Sequence, residues 1–386
     1  MAAVSALTRS GKLHEATRMI QSLLGGSAPA QTATDDLSGV GALIDGEYIE
    51  VTPAPEPEPE PVVPPLAQKP AKPRGRRTSL AQTLRKIAAG GMPMPGPVSG
   101  AAVTLPQGAQ FLALTHSTAQ GSRGYRLYIP ANRPAGPRPL IVMLHGCTQT
   151  AEDFAAGTGM NALAEEFGLL IAYPTQPSGA NAQKCWNWYR PEDQARDRGE
   201  PAVIVGLTRD IQRDHGADPT RSYVAGLSAG GAAAAVMAAA YPEVFCAVGV
   251  HSGLPAGGAR DIPSAFAAMR SGSKGRPHRT PVPTIVFHGS ADTTVHPDNG
   301  SAVIKQALPA MKGLRAATQR GVSAGGRSYS TTAHLDDKGR SLAEIWEIDG
   351  AGHAWAGGNS AGSYTDPKGP DASRQMVRFF LQHQRS

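Results

Sequence analysis

Three serines in this chain sit in a Gly-x-Ser-x-Gly frame: Ser228 (GLSAG), Ser323 (GVSAG) and Ser360 (GNSAG). A serine hydroxyl is a weak nucleophile. It attacks a carbonyl only when a base takes its proton and the backbone lifts it clear of its neighbours. Small flanking residues permit the sharp strand-to-helix turn that does the lifting. Because the pattern occurs three times, context has to choose among the copies. Only Ser228 has a strand-like run before it (SYVAGL) and a helical run of small residues after it (AGGAAAAVMAAAY). Ser323 lies between a helix and a hairpin, and Ser360 in a Gly-rich loop. Ser228 is therefore the expected nucleophile. A helix that begins just behind it also favours negative charge there, so the Ala229 amide can donate to an oxyanion.

A base and an orienting acid should follow in the order Ser, Asp or Glu, His. The histidines after Ser228 include His251, His288, His296, His334 and His353. Only His353 sits in a glycine-flanked loop after the last strand-like run (AEIWEI, then DGAGHAW), so it is the expected base. His288 ends a strand directly and reads as packed. The acid should leave the penultimate strand, and PTIVFHGSADTTVHP places Asp292 there. Asp298 is the alternative, or it caps the following helix; Asp349 is too near His353 in sequence. A tetrahedral oxyanion needs a second pre-set donor, and the loop after the run LIVML offers the Cys147 amide. His145, in the same loop, reads as a structural histidine.

These residues need a scaffold. Residues 110–116, 124–129, 140–144, 169–173, 222–227, 244–250, 284–288 and 343–348 read as strands. Residues 151–167, 202–215, 229–241, 299–311 and 372–384 read as helices. Strands alternating with helices imply a mostly parallel sheet covered on both faces. With a strand–Ser–helix turn in it, the expected class is α/β, of the α/β-hydrolase fold.

The runs RLYIP, LIVMLHGCTQ, CWNWY, GLSAGG, FHGSAD, and GAGHAW followed by SYTDPKGPDAS lie in order with sensible spacing over about residues 108–386. Together they resemble the short-chain-length polyhydroxyalkanoate (PHB) depolymerase family of esterases, which is related to feruloyl and acetylxylan esterases. The resemblance implies hydrolysis of 3-hydroxyalkanoate esters without metal or organic cofactor. It implies Ser228, Asp292 and His353 as a triad, Cys147 as an oxyanion donor, and a Cys147–Cys185 disulfide. Trp186, Trp188 and Tyr189 are either a cleft wall or a core plug beside that disulfide, whereas Trp355, two residues from His353, reads as a substrate contact. Two rivals follow: a feruloyl or acetylxylan carboxylesterase, and a non-catalytic protein that binds polymer granules.

The 386 residues carry Gly 45, Pro 33, Cys 3 and a formal net charge of +6. Three cysteines are too few for a disulfide scaffold. Residues 1–25 read as a short amphipathic helix that resembles the N-terminal segment of many bacterial members of that family. Residues 26–100 read as a Pro-rich linker, with Pro alternating with Glu and later Lys, and 101–386 as the catalytic domain. Charges at Arg9, Lys12, His14, Glu15 and Arg18 interrupt any signal-peptide core. That reads as an intracellular chain or one exported by a route the sequence does not display, against a family that is mostly secreted. No run is long and apolar enough to span a membrane. The basic cluster at residues 69–86 lies in the linker without an aromatic platform, so nucleic acid is not an expected partner.

Overall fold

The computed structural model describes residues 105–385. The helix expected at 1–25 and the linker expected at 26–100 lie outside the described residues.

Strands β1 (Gln110–Thr118), β2 (Gly121–Ile129), β3 (Arg138–Leu144), β4 (Leu170–Pro174), β5 (Ala217–Leu227), β6 (Ala247–His251), β7 (Thr284–Gly289), β8 (Arg315–Val322), β9 (Ser328–Leu335) and β10 (Ser341–Ile348) form one sheet. Its order is β1-β2-β4-β3-β5-β6-β7-β10-β9-β8. The run β4-β3-β5-β6-β7-β10 is parallel throughout. Antiparallel pairs close both sides. This is the mostly parallel α/β-hydrolase sheet that the alternation of strand and helix runs predicts. Strands β8 and β9 go beyond the expected strands, because outer strands with few buried residues carry no apolar run to betray them.

Helices α1 (Ala151–Thr158), α2 (Met160–Phe167), α3 (Gly199–Asp214), α4 (Ala229–Ala240), α5 (Ile262–Ser271), α6 (Asp298–Ala307) and α7 (Ala372–Phe380) cover the sheet. The single helix expected over 151–167 is two, because Gly159 turns left-handed (φ 65°) and caps the first. Helix α5 was not anticipated. Asp261 and Ser264 close a capping box at its start, with a proline in the first turn. Alternate residues of β3 divide between the two cores. Leu140, Val142 and Leu144 face α3, α4 and α6, while Ile141 and Met143 face α1, α2 and α7.

Parallel pairing fixes which loops meet. Strand order reverses between β4-β3 and β5, so β3 and β5 are neighbours whose connections leave in opposite directions along the sheet. Such a switch point leaves a crevice at the carboxyl ends of the strands. Leu144 pairs with Gly226, Leu227 with His251, and His251 with Phe287, so the loops after β3, β5, β6 and β7 leave one edge side by side.

Helix α4 is almost wholly buried, which accounts for its alanines and glycines. Its first turn presses on the end of β3: a methyl group on Gly230 would strike the Leu144 carbonyl oxygen, and one on Gly226 would strike Gly230. In an exposed helix Gly→Ala stabilises by about 1 kcal/mol. Here the sign should reverse. Gly230→Ala is expected to lower the melting temperature in calorimetry and to depress any activity at Ser228. A stabilised Gly230→Ala would show that α4 does not bear on β3.

Candidate active site

Ser228 stands between the end of β5 and the start of α4 with φ 58° and ψ −120°. A non-glycine residue rarely adopts this strained conformation, and here it aims the side chain out of the sheet. The Ser228 N–H donates to the His251 carbonyl oxygen (2.9 Å), which holds the turn against β6. Ser228 itself is half-buried. Of the other two copies of the motif, Ser323 turns the β8–β9 hairpin, donating its hydroxyl to the Lys368 carbonyl oxygen, and Ser360 lies exposed in a loop.

Asp292 and His353 come together. His353 Nδ1 and Asp292 Oδ2 are 2.8 Å apart, and the histidine ring is 13% exposed. Asp292 leaves β7 in a tight turn, where its Oδ1 accepts the N–H groups of Thr294 and Val295, each at 2.9 Å. Burial pushes the Asp292 carboxyl up, but hydrogen bonds from His288, His353 and Val295 prevail and hold it well below the usual carboxylate range. His288, packed as expected, donates Nε2–H to the Val295 carbonyl oxygen (2.8 Å) and braces the same turn. Asp298 is exposed at the first residue of α6, away from this pair.

The loop bearing His353 starts at β10, three strands from β5, and has to travel back. It crosses β7 first: the Ala291 N–H donates to the Ala351 carbonyl oxygen (3.0 Å), and a methyl group on Gly289 would collide with that same oxygen. It then reaches β6, where the Ala356 N–H donates to His251 Nε2 (2.9 Å). His353 thus lies in the chain between anchors on β7 and β6, and β6 is the neighbour of β5, which leads into Ser228. His251 has to be neutral to accept this bond. Burial, reinforced by repulsion from His288 and His353, pushes it down to about 3. Nothing in the sequence marks His251 as an anchor, because its partner is a backbone amide 105 residues away.

The loop after β3 is braced from several sides. His145 donates Nδ1–H to the Gly146 carbonyl oxygen (2.7 Å) and accepts the Gln176 N–H on Nε2 (3.1 Å); burial pushes it down to about 4. The Gly146 N–H donates to Gln149 Oε1 (2.9 Å). Cys147 and Cys185 form a disulfide, the pairing that the resemblance implied, and Cys246 is a free buried thiol. Gln176 Nε2 bonds the Cys185 carbonyl oxygen and the Glu200 carboxylate, and Asn187 donates both its N–H and its Nδ2 to Glu200. Among the described residues the N–H groups of Cys147 and Ala229 donate to no protein group. They lie on the two segments that the Gly230–Leu144 contact presses together.

The tryptophans expected near the site are buried. Trp186 is 0% exposed and donates its indole N–H to the His145 carbonyl oxygen. Trp188 is buried against Tyr189. Trp355 is 1% exposed, edge-on to Phe154, stacked on His251, and bonded through Nε1 to Ser373. All three rings are buried, Trp186 and Trp188 beside the disulfide segment and Trp355 beneath the loop of His353, where large aromatics can brace a loop from within. Among the described residues no cluster of His, Cys, Asp or Glu could hold a metal ion, and no helix is long and apolar enough to cross a membrane.

The family model described as esterase PHB depolymerase matches residues 123–327. Poly(3-hydroxyalkanoate) depolymerase C of Paucimonas lemoignei is 35% identical over 240 residues, covering 58% of this chain and 57% of that protein. Feruloyl esterase B of Neurospora crassa is 32% identical over 204 residues, covering 46% of this chain and 67% of that one. The chain spans little more than half the length of the polyhydroxyalkanoate relatives it matches. Among solved structures, acetyl xylan esterase from Aspergillus awamori shares the fold, with a TM-score of 0.52 and 24% identity over 67% of this chain and 94% of that one.

Neutral burial of two histidines sets an acid limit on stability. Unfolded imidazoles take up protons near 6.5, whereas His145 and His251 in the folded chain do so only near 4 and 3. Falling pH therefore favours the unfolded chain from about 6.5 downward, by about 1.4 kcal/mol per pH unit for each histidine. Asp292, held ionised in the fold, adds the same sign below its ordinary range. Urea unfolding between pH 6.5 and 4.5 is expected to show this steep loss; a flat profile would contradict the neutral state.

Proposed function

This chain belongs to the esterase PHB depolymerase family, and from that premise we propose that it is a serine esterase in which Ser228 is the nucleophile, His353 the base and Asp292 the orienting acid. The observation that carries the reading is the 2.8 Å pairing of His353 Nδ1 with an ionised, buried Asp292, on a loop drawn back across β7 and β6 toward the strained Ser228 turn. A carboxylate at Nδ1 keeps the proton on that nitrogen and leaves Nε2 free to accept one.

The chemistry runs in two halves. His353 Nε2 takes the Ser228 hydroxyl proton as the oxygen bonds to the ester carbonyl carbon. The carbonyl oxygen becomes an oxyanion, held by the N–H groups of Cys147 and Ala229. Loss of one such donor raises the barrier by roughly 3–4 kcal/mol. The tetrahedral adduct collapses, the C–O bond to the alcohol breaks, and His353 hands its proton to the departing oxygen. Water then attacks the acyl-serine by the same route and releases the acid and a free Ser228. Asp292 stays ionised throughout and stabilises the imidazolium.

The substrates we assign are esters of short-chain 3-hydroxyalkanoates, on the strength of the family and of the Paucimonas relative's name. The test is a panel of 3-hydroxybutyrate oligomers, methyl ferulate and acetylated xylan, run on the whole chain. Oligomers are expected to turn over fastest. Ser228→Ala should lose at least about 10⁴-fold in kcat, and Asp292→Asn on the order of 10⁴-fold, with KM little changed. Faster release of acetate from xylan would replace the substrate and leave the mechanism; activity surviving in Ser228→Ala would end the mechanism.

A further inference from the structure

Strain in this molecule is concentrated. Among the described residues the non-glycine positions with positive φ are Thr148, Lys184, Asp197, Ser228, Ser252 and Tyr364. Ser228 is the nucleophile's turn, and Ser252 directly follows β6, the strand beside it. Thr148 and Lys184 adjoin the two halves of the Cys147–Cys185 disulfide. Tyr364 lies in the loop beyond His353, 216 residues from Thr148, yet its hydroxyl is 3.2 Å from Thr148 Oγ1. A β-branched residue such as Thr148 at φ 68° is a marked outlier, and such backbone persists only where its surroundings over-determine it.

The surroundings are specific. The Thr148 N–H donates to the Gln183 carbonyl oxygen (2.7 Å), next to the disulfide segment. At the other end, the Trp355 N–H donates to the Tyr364 carbonyl oxygen (2.7 Å). Trp355 is two residues from His353, and Thr148 follows Cys147 directly. Tyr364 therefore holds the base loop through its main chain and the oxyanion loop through its hydroxyl. Its neighbour Ser363 is fixed in turn by Asp153, whose Oδ1 accepts the Ser363 N–H (2.8 Å). The ring is 39% exposed, so core packing is not what holds this strained tyrosine in place.

We infer that Tyr364 is a positioning residue for acyl transfer: its hydrogen bond to Thr148 fixes the Cys147 amide relative to the loop that carries His353. The role rests on the esterase reading above. It acts on the oxyanion, which develops only after the substrate is bound, on the way to the tetrahedral adduct, so it belongs in kcat rather than KM.

A double-mutant cycle of Tyr364→Phe and Thr148→Val, in the full chain with a p-nitrophenyl butyrate assay, tests it. Each single variant is expected to lose about 5- to 10-fold in kcat with KM within about twofold, and the double to be no worse than the poorer single. The Ki of a trifluoromethyl ketone, which mimics the tetrahedral adduct, should rise by the same factor, while the melting temperature moves little. An unchanged kcat in Tyr364→Phe, or losses that multiply in the double, would overturn the role. Activity that does not depend on Ser228 would strike the esterase reading instead, so the two failures are told apart.

Discussion

The architecture turns on a contact between two stretches of main chain. The first turn of α4 lies so close to the end of β3 that neither Gly226 nor Gly230 has room for a methyl group. One contact therefore sets two things: the angle at which Ser228 leaves the sheet, and the distance between the Ala229 and Cys147 segments. Side chains adjust by rotation, but main chain pressed on main chain does not, so the geometry is built in before any ligand arrives.

Around that contact the protein spends polar groups on rigidity rather than on exposure. Three histidines outside the proposed triad, His145, His251 and His288, each pin a loop through a backbone partner. Trp186 and Trp355 fill the space behind the loops that carry Cys147 and His353 and bond to fixed oxygens. The buried Glu200 gathers Gln176 and Asn187, and through them the disulfide segment. The common logic is that a loop carrying one reactive group is tied to its neighbour by a second residue that never touches the reaction. The rest of the sheet can then vary on its outer strands, where β8 and β9 show little burial.

Much of this was legible in the sequence, for physical reasons. Buried parallel strands must be apolar, so the central strands announced themselves. The turn at Ser228 needs a strand, small residues and a helix in a row, and only one of three matching motifs has them. Asp292 and His353 followed from the order of strands. The illegible parts depend on contacts between distant backbone atoms. His251 and Tyr364 work through amides and a hydroxyl far away in the chain, and no local pattern encodes such partners. The packing of the tryptophans was illegible for a related reason: sequence tells that a large ring is near a site, but not which side of the loop it packs on. Helix α5 is not legible because its apolar residues form no single buried stripe, with only Ala265 and Ala268 buried, although the Asp-x-x-Ser cap was there to be read.

Of the three serines in Gly-x-Ser-x-Gly frames, only Ser228 should be activated by its surroundings. Labelling the intact protein with a fluorophosphonate and mapping the adduct by peptide mass spectrometry distinguishes the three. One adduct is expected, on the peptide containing Ser228, and none on those containing Ser323 or Ser360. An adduct on either of those, or an unlabelled Ser228 in an active preparation, would contradict this expectation.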